Sequence, residues 1–163
     1  LPVTIYDGEH PLPDFIDYNM QGKTYRFIEG DALYPFGYGL SYTKFEYSDA
    51  KILEKTNDNI RVSVNVKNIG DRAGIEKTQI YAQYTDSRTY TPHFQLCGIK
   101  STNLEAGETA TVTIDIDTYW LKAVLEDGQR VTPDGKITLY IGGHQPDKRS
   151  NELLGYECEK IEL

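Results

Sequence analysis

Thr109-Ala110-Thr111-Val112-Thr113-Ile114-Asp115-Ile116-Asp117 alternates without a break, with Ala110, Val112, Ile114 and Ile116 on one side and threonine or aspartate on the other. Successive side chains of a β-strand point to opposite faces, so this stretch reads as a strand with one face in a core and one in water. Glu105-Ala106-Gly107-Glu108 supplies the turn before it. Working outward, Ile60, Val62, Val64 and Val66 alternate with Arg61, Ser63, Asn65 and Lys67, and 68–74 supplies the next turn. Further strands are expected over 45–53, over 76–85 with Ile80, Ala82 and Tyr84 on one face, over 94–104, and at Ile137, Leu139 and Ile141, entered through Thr132-Pro133-Asp134-Gly135. A last strand is expected over 155–162. Seven short strands with no amphipathic helix predict an all-β fold: two antiparallel sheets packed as an immunoglobulin-like β-sandwich.

Residues 1–43 have a different texture. Pro11, Pro13, Pro35, Gly37 and Gly39 interrupt them, and beyond Leu1 to Tyr6 they show neither a helical nor a strand period. They read as an extended N-terminal arm, and a structureless stretch of that length is expected to pack against something outside the sandwich. The opening Leu1-Pro2-Val3-Thr4-Ile5 resembles neither a signal peptide nor a tag, so the chain is expected to begin inside a longer protein, which leaves its compartment open. Tyr119-Trp120-Leu121-Lys122-Ala123-Val124 is expected to form one helical turn or a corner between sheets, with Trp120 plugging the core.

The totals narrow the function. Among 163 residues, 39% are hydrophobic and 26% charged, which is ordinary for a globular protein, and no apolar run is long enough to span a membrane. A net charge of −8 with scattered Lys and Arg disfavours nucleic acid as a partner. Cys97 and Cys158 lack metal-ligand spacing; they are read as reduced structural thiols, with one bridge as the alternative.

Candidate chemistry is sparse. Asp115 and Asp117 are same-face neighbours on a strand, at a spacing suited to paired-carboxylate catalysis, but they lie on a polar face where nothing desolvates either of them for acid work. They are expected to be a solvated pair. His10, His93 and His144 stand apart beside proline or glycine, and the glycines form no phosphate loop, so neither a metal nor another cofactor is expected. Thirteen tyrosines are many for this length. Exposed, they suit either stacking on sugar rings of an oligo- or polysaccharide or a protein interface.

Leu33-Tyr34-Pro35-Phe36-Gly37-Tyr38-Gly39-Leu40-Ser41-Tyr42-Thr43 closely resembles the Y-P-F-G-Y-G-L-S-Y-T stretch that joins the α/β sandwich domain of family 3 glycoside hydrolases to their fibronectin type III-like domain. Leu1-Pro2-Val3-Thr4-Ile5 resembles that family's L-P-V-T-F strand, and Asp17-Tyr18-Asn19-Met20 with Gly22-Lys23-Thr24-Tyr25-Arg26-Phe27 is similar to its D-Y-x-M-x-G-R-T-Y-R-Y segment. Downstream, Val66-Lys67-Asn68-Ile69-Gly70 with Ala73-Gly74 resembles V-x-N-T-G-x-x-A-G, and Gln95-Leu96-Cys97-Gly98-Ile99 resembles Q-L-x-G-F. The sequence departs from the family at Cys97, where lysine is common, and at Ile69, where threonine is.

The resemblance implies that residues 1–43 are the tail of an α/β sandwich domain with its linker and that 44–163 are a fibronectin type III-like domain. It implies a parent β-glucosidase or β-xylosidase that cleaves terminal β-linked sugars by a retaining double displacement. The nucleophile and acid/base residues of that family lie in TIM-barrel and α/β sandwich segments that nothing here matches, so no catalytic residue is assigned and this chain alone is expected to be inactive. Tyr25, Tyr34, Phe36, Tyr38 and Tyr42 are the expected contacts with those other domains.

Overall fold

The computed structural model describes residues 1–9 and 13–163, so the expectations for His10 and Pro11 lie outside the described residues. Among the described residues nine strands follow in chain order: β1 (Phe45–Lys55), β2 (Asn59–Asn68), β3 (Gly74–Thr85), β4 (Gln95–Leu104), β5 (Thr109–Asp117), β6 (Ala123–Val124), β7 (Arg130–Val131), β8 (Lys136–Gly142) and β9 (Glu159–Glu162). A single helical turn, α1 (Thr24–Phe27), precedes them, and α2 (Lys148–Leu154) lies between β8 and β9. The strands form a three-stranded sheet, β1-β2-β5, and a four-stranded sheet, β4-β3-β8-β9, with β6 and β7 as a small separate hairpin. All the pairings are antiparallel.

The β2–β5 ladder runs without a register shift from Asn59↔Asp117 to Lys67↔Thr109, placing Ile60 opposite Ile116, Val62 opposite Ile114 and Val64 opposite Val112. These apolar pairs face Ile80, Ala82, Leu139 and Ile141 of the other sheet and form one buried cluster with them. Burying each such side chain stabilises the fold by about 1.5–3 kcal/mol, which is why the alternation fixes both register and facing.

Two details differ from the sequence expectations. Trp120 does not plug the core: it is 55% exposed, and its neighbour Leu121, at 7%, takes that place. The reason is the 3₁₀ turn Thr118–Leu121, whose side chains fan out at about 120° per residue, so adjacent residues cannot both point inward. The strand expected over 155–162 is confined to β9, and α2 occupies the residues just ahead of it. Asp147 caps that helix by accepting from the Ser150 backbone N–H at 2.9 Å, and Gly155, at φ 80°, ends it in the left-handed conformation glycine tolerates.

The arm is irregular apart from α1 and turns back so that Tyr25 and Gly37 lie over Tyr81 and Gln79 on the outer side of β3. Where the arm enters the sandwich, Asn68 is fully buried and uses its whole side-chain amide. Its Oδ1 accepts from the Thr43 hydroxyl at 2.6 Å and the Gly70 N–H at 3.1 Å. Its Nδ2 donates to the carbonyls of Arg72 and Leu104 at 2.8 and 3.1 Å. A buried amide satisfied on every side holds three chain segments in one arrangement.

Candidate functional site

The arm lies on β3, which offers it an aromatic and polar surface. Tyr81 on the outer side of β3 is fully buried, as are Ile80 and Ala82 on the inner side. A strand buried on both sides loses the polar alternation that marks a half-solvated one. Tyr25, on α1, stacks on Phe36 of the linker with ring centroids 4.2 Å apart and planes 14° off parallel, and meets Tyr81 edge-on at 6.3 Å. The Tyr25 hydroxyl accepts from the Leu96 N–H at 3.3 Å, and the His93 N–H donates to the Arg26 carbonyl at 2.7 Å, so α1 is tied to the end of the β3–β4 connection and the start of β4. Burial raises the hydroxyl pKa of Tyr25 and of Tyr81, keeping both protonated at neutral pH.

The linker turns at Gly37, where φ is +81°, and a Cβ there would meet Gln79 Oε1 at 2.9 Å and the Tyr81 hydroxyl at 3.0 Å. Only glycine fits both the conformation and the approach. Beneath it the Tyr81 hydroxyl donates to Gln79 Oε1 at 2.7 Å and Gln79 Nε2 donates to the Gly143 carbonyl at 2.8 Å. Ile5 and Tyr34 exchange two backbone hydrogen bonds, at 2.9 and 3.2 Å, which closes the arm on itself.

The five expected contact residues therefore divide. Tyr25 and Phe36 face the sandwich, Tyr34 and Tyr38 stack on each other at 5.3 Å, and Tyr42 is 93% exposed. Elsewhere the arm exposes Phe15, Ile16, Tyr18 and Leu40, at 75–94% exposure. This apolar surface carried no periodic signal in the sequence. Tyr81 and Gln79, which hold the arm, were legible only as a break in the polar alternation of β3.

Asp115 accepts from Arg61 Nε at 2.8 Å and from Asn59 Nδ2 at 3.1 Å, and these partners hold its carboxyl below the usual range. Asp117 caps the 3₁₀ turn through the Tyr119 N–H at 2.8 Å. Both carboxylates are engaged in holding local structure. His93 is an exposed loop residue, whereas His144 is fully buried, with Nδ1 2.7 Å from the Gln145 carbonyl. Among the described residues, no three His, Cys, Asp or Glu side chains gather in an arrangement that would hold a metal ion. Cys97 and Cys158 are free, and burial pushes both thiols up to about 12, so neither is an activated nucleophile at neutral pH.

The family model for the fibronectin type III-like domain matches residues 76–145. The chain is 36% identical over 155 residues to a xylan 1,4-beta-xylosidase of Xylanibacter ruminicola, a match covering 94% of this chain and 18% of that protein. It is 40% identical over 116 residues to thermostable beta-glucosidase B of Acetivibrio thermocellus, covering 69% of this chain and 15% of the relative. Among solved structures, DesR, a beta-glucosidase from Streptomyces venezuelae in complex with D-glucose, superposes with a TM-score of 0.72 at 28% identity, over 87% of this chain and 18% of that one. The chain thus spans about a fifth or less of the length of these relatives.

Proposed function

We infer, for a chain that carries the fibronectin type III-like domain of the family 3 glycoside hydrolases, a non-catalytic role: it positions and stabilises the catalytic domains of a parent enzyme. The parent is a β-glucosidase or β-xylosidase acting on terminal β-linked sugars, as the names of the relatives suggest. Residues 1–43 are the tail of its α/β sandwich domain with the linker, and 44–163 are the accessory module. The observation that carries this reading is the two-sided arm: Tyr25 and Phe36 grip the sandwich while Phe15, Ile16, Tyr18, Leu40 and Tyr42 stand in solvent. Large apolar side chains left exposed on a well-held strap are what an interdomain contact requires.

The test is hydrolysis of p-nitrophenyl β-glucoside and β-xyloside by the 163-residue chain and by the full-length gene product in parallel. Turnover by the full-length protein alone is expected, and the sugar it releases assigns the specificity; release of nitrophenol by the short chain would overturn the reading. Saturable binding of the short chain to xylan or glucan would instead favour a carbohydrate-binding module acting through exposed rings such as Tyr18 and Tyr42.

A further inference from the structure

Beside the linker the start of β1 faces the segment leading from α2 into β9, and a groove of about 610 Å³ opens between them. Phe45, Leu153 and Leu154 line its walls, with the exposed Leu40 at its rim. At its base Glu76 Oε1 accepts from the Tyr47 hydroxyl at 2.6 Å, and the Tyr47 and Tyr156 rings lie nearly parallel beside it, 6.3 Å apart. Two more carboxylates, Glu46 and Glu157, line the groove against the single cation Lys44. Glu157 lies 3.4 Å from Lys160, whereas among the described residues no ion pair involves Glu76.

A groove that sets Phe45, Leu153 and Leu154 beside a carboxylate and two tyrosine rings is the complement of one kind of side chain. We propose that this groove receives a single arginine side chain presented by a protein surface packed against this edge of the sandwich. The methylene stem of arginine matches Phe45, Leu153 and Leu154, and its guanidinium offers paired donors to Glu76 and a flat cation to the Tyr156 ring. An anion is repelled by the three carboxylates. A purely apolar plug would strip water from Glu76 without supplying a counter-charge, a costly arrangement. Burial, working against the Tyr47 hydrogen bond, already raises the Glu76 carboxyl above its ordinary value, and a neighbouring cation would reverse that penalty. The inference rests on the module reading only for the source of the side chain, a neighbouring domain of the parent.

The site is tested without the parent, by titrating the ¹⁵N-labelled 163-residue chain with N-acetyl-L-arginine methylamide and, separately, with the neutral isostere N-acetyl-L-citrulline methylamide. Saturable shifts confined to the amides of Gly143, Leu154, Tyr156 and Glu157, given by the arginine derivative alone, are expected. Glu76→Gln weakens that binding at least about 10-fold, and the rim change Glu46→Gln about 2–5-fold. If Glu76→Gln does not fold, the exposed Glu46 variant and the arginine–citrulline contrast still decide the matter. Equal shifts from the two ligands, no shifts at all, or shifts centred elsewhere overturn the proposal. Because the parent's sugar chemistry does not enter this experiment, its failure and that of the hydrolase reading are separable.

Discussion

The two outer faces of the sandwich solve opposite problems. On the three-stranded sheet the outward side chains of β2 and β5 are polar or charged, joined by contacts such as Thr111 Oγ1 to Asn65 Oδ1 at 2.8 Å. On the four-stranded sheet the outward side of β3 carries Gln79 and Tyr81, at 6% and 0% exposure, sealed under the arm. One face is finished within its own strands; the other is finished by residues 35 and more positions away in sequence. The difference teaches that the arm is part of the folded unit, although its sequence belongs in character to what precedes the sandwich.

Breaking the covered face should cost most. Tyr81→Ala removes a fully buried ring from beneath Tyr25 and Gly37, and a loss of about 3–5 kcal/mol is expected in urea denaturation, together with faster proteolysis of the arm. Removing the cover instead of the floor should cost less. Tyr25→Ala forfeits the stack on Phe36 and the edge contact with Tyr81, for an expected loss of about 1–2 kcal/mol. Cleavage within residues 24–40 should then appear while the sandwich persists. On the open face Asp115→Asn, which ends an exposed ion pair with Arg61, should leave the denaturation midpoint unchanged. A midpoint shift there as large as that of Tyr81→Ala would mean that the two faces are not different in kind.

The same contrast explains what the sequence could express. Strands half in water write their burial as a period of two, and β2 and β5 were readable nearly to the residue because Val and Ile alternate with polar partners along them. In β3 the signal blurs, since Gln79, Ile80, Tyr81 and Ala82 are all buried, and that blur was itself the trace of a second covering layer. The helix α2 escaped notice because seven residues hold too few turns to show a period, and only Asp147 and Gly155 marked its ends. Trp120 misled through composition: a large ring suggests a core, but the turn geometry gave the inward position to Leu121. Of the candidate contact residues, composition singled out the aromatic ones without saying which way each faced. Direction depends on the turn at Gly37 and on contacts far away in sequence.

The buried amide of Asn68 has a mechanical meaning. A neighbouring domain that moves would pull on the sandwich through the linker, and the pull arrives at Thr43, two residues before β1 begins. Were Thr43 attached only to β1, tension would unzip that edge strand from β2 one rung at a time. Through Asn68 the hydroxyl of Thr43 is instead joined to the end of β2, to the β2–β3 turn at Arg72 and to the end of β4 at Leu104. A pull at Thr43 would therefore be shared among strands of both sheets at the point of entry instead of falling on the β1–β2 ladder alone.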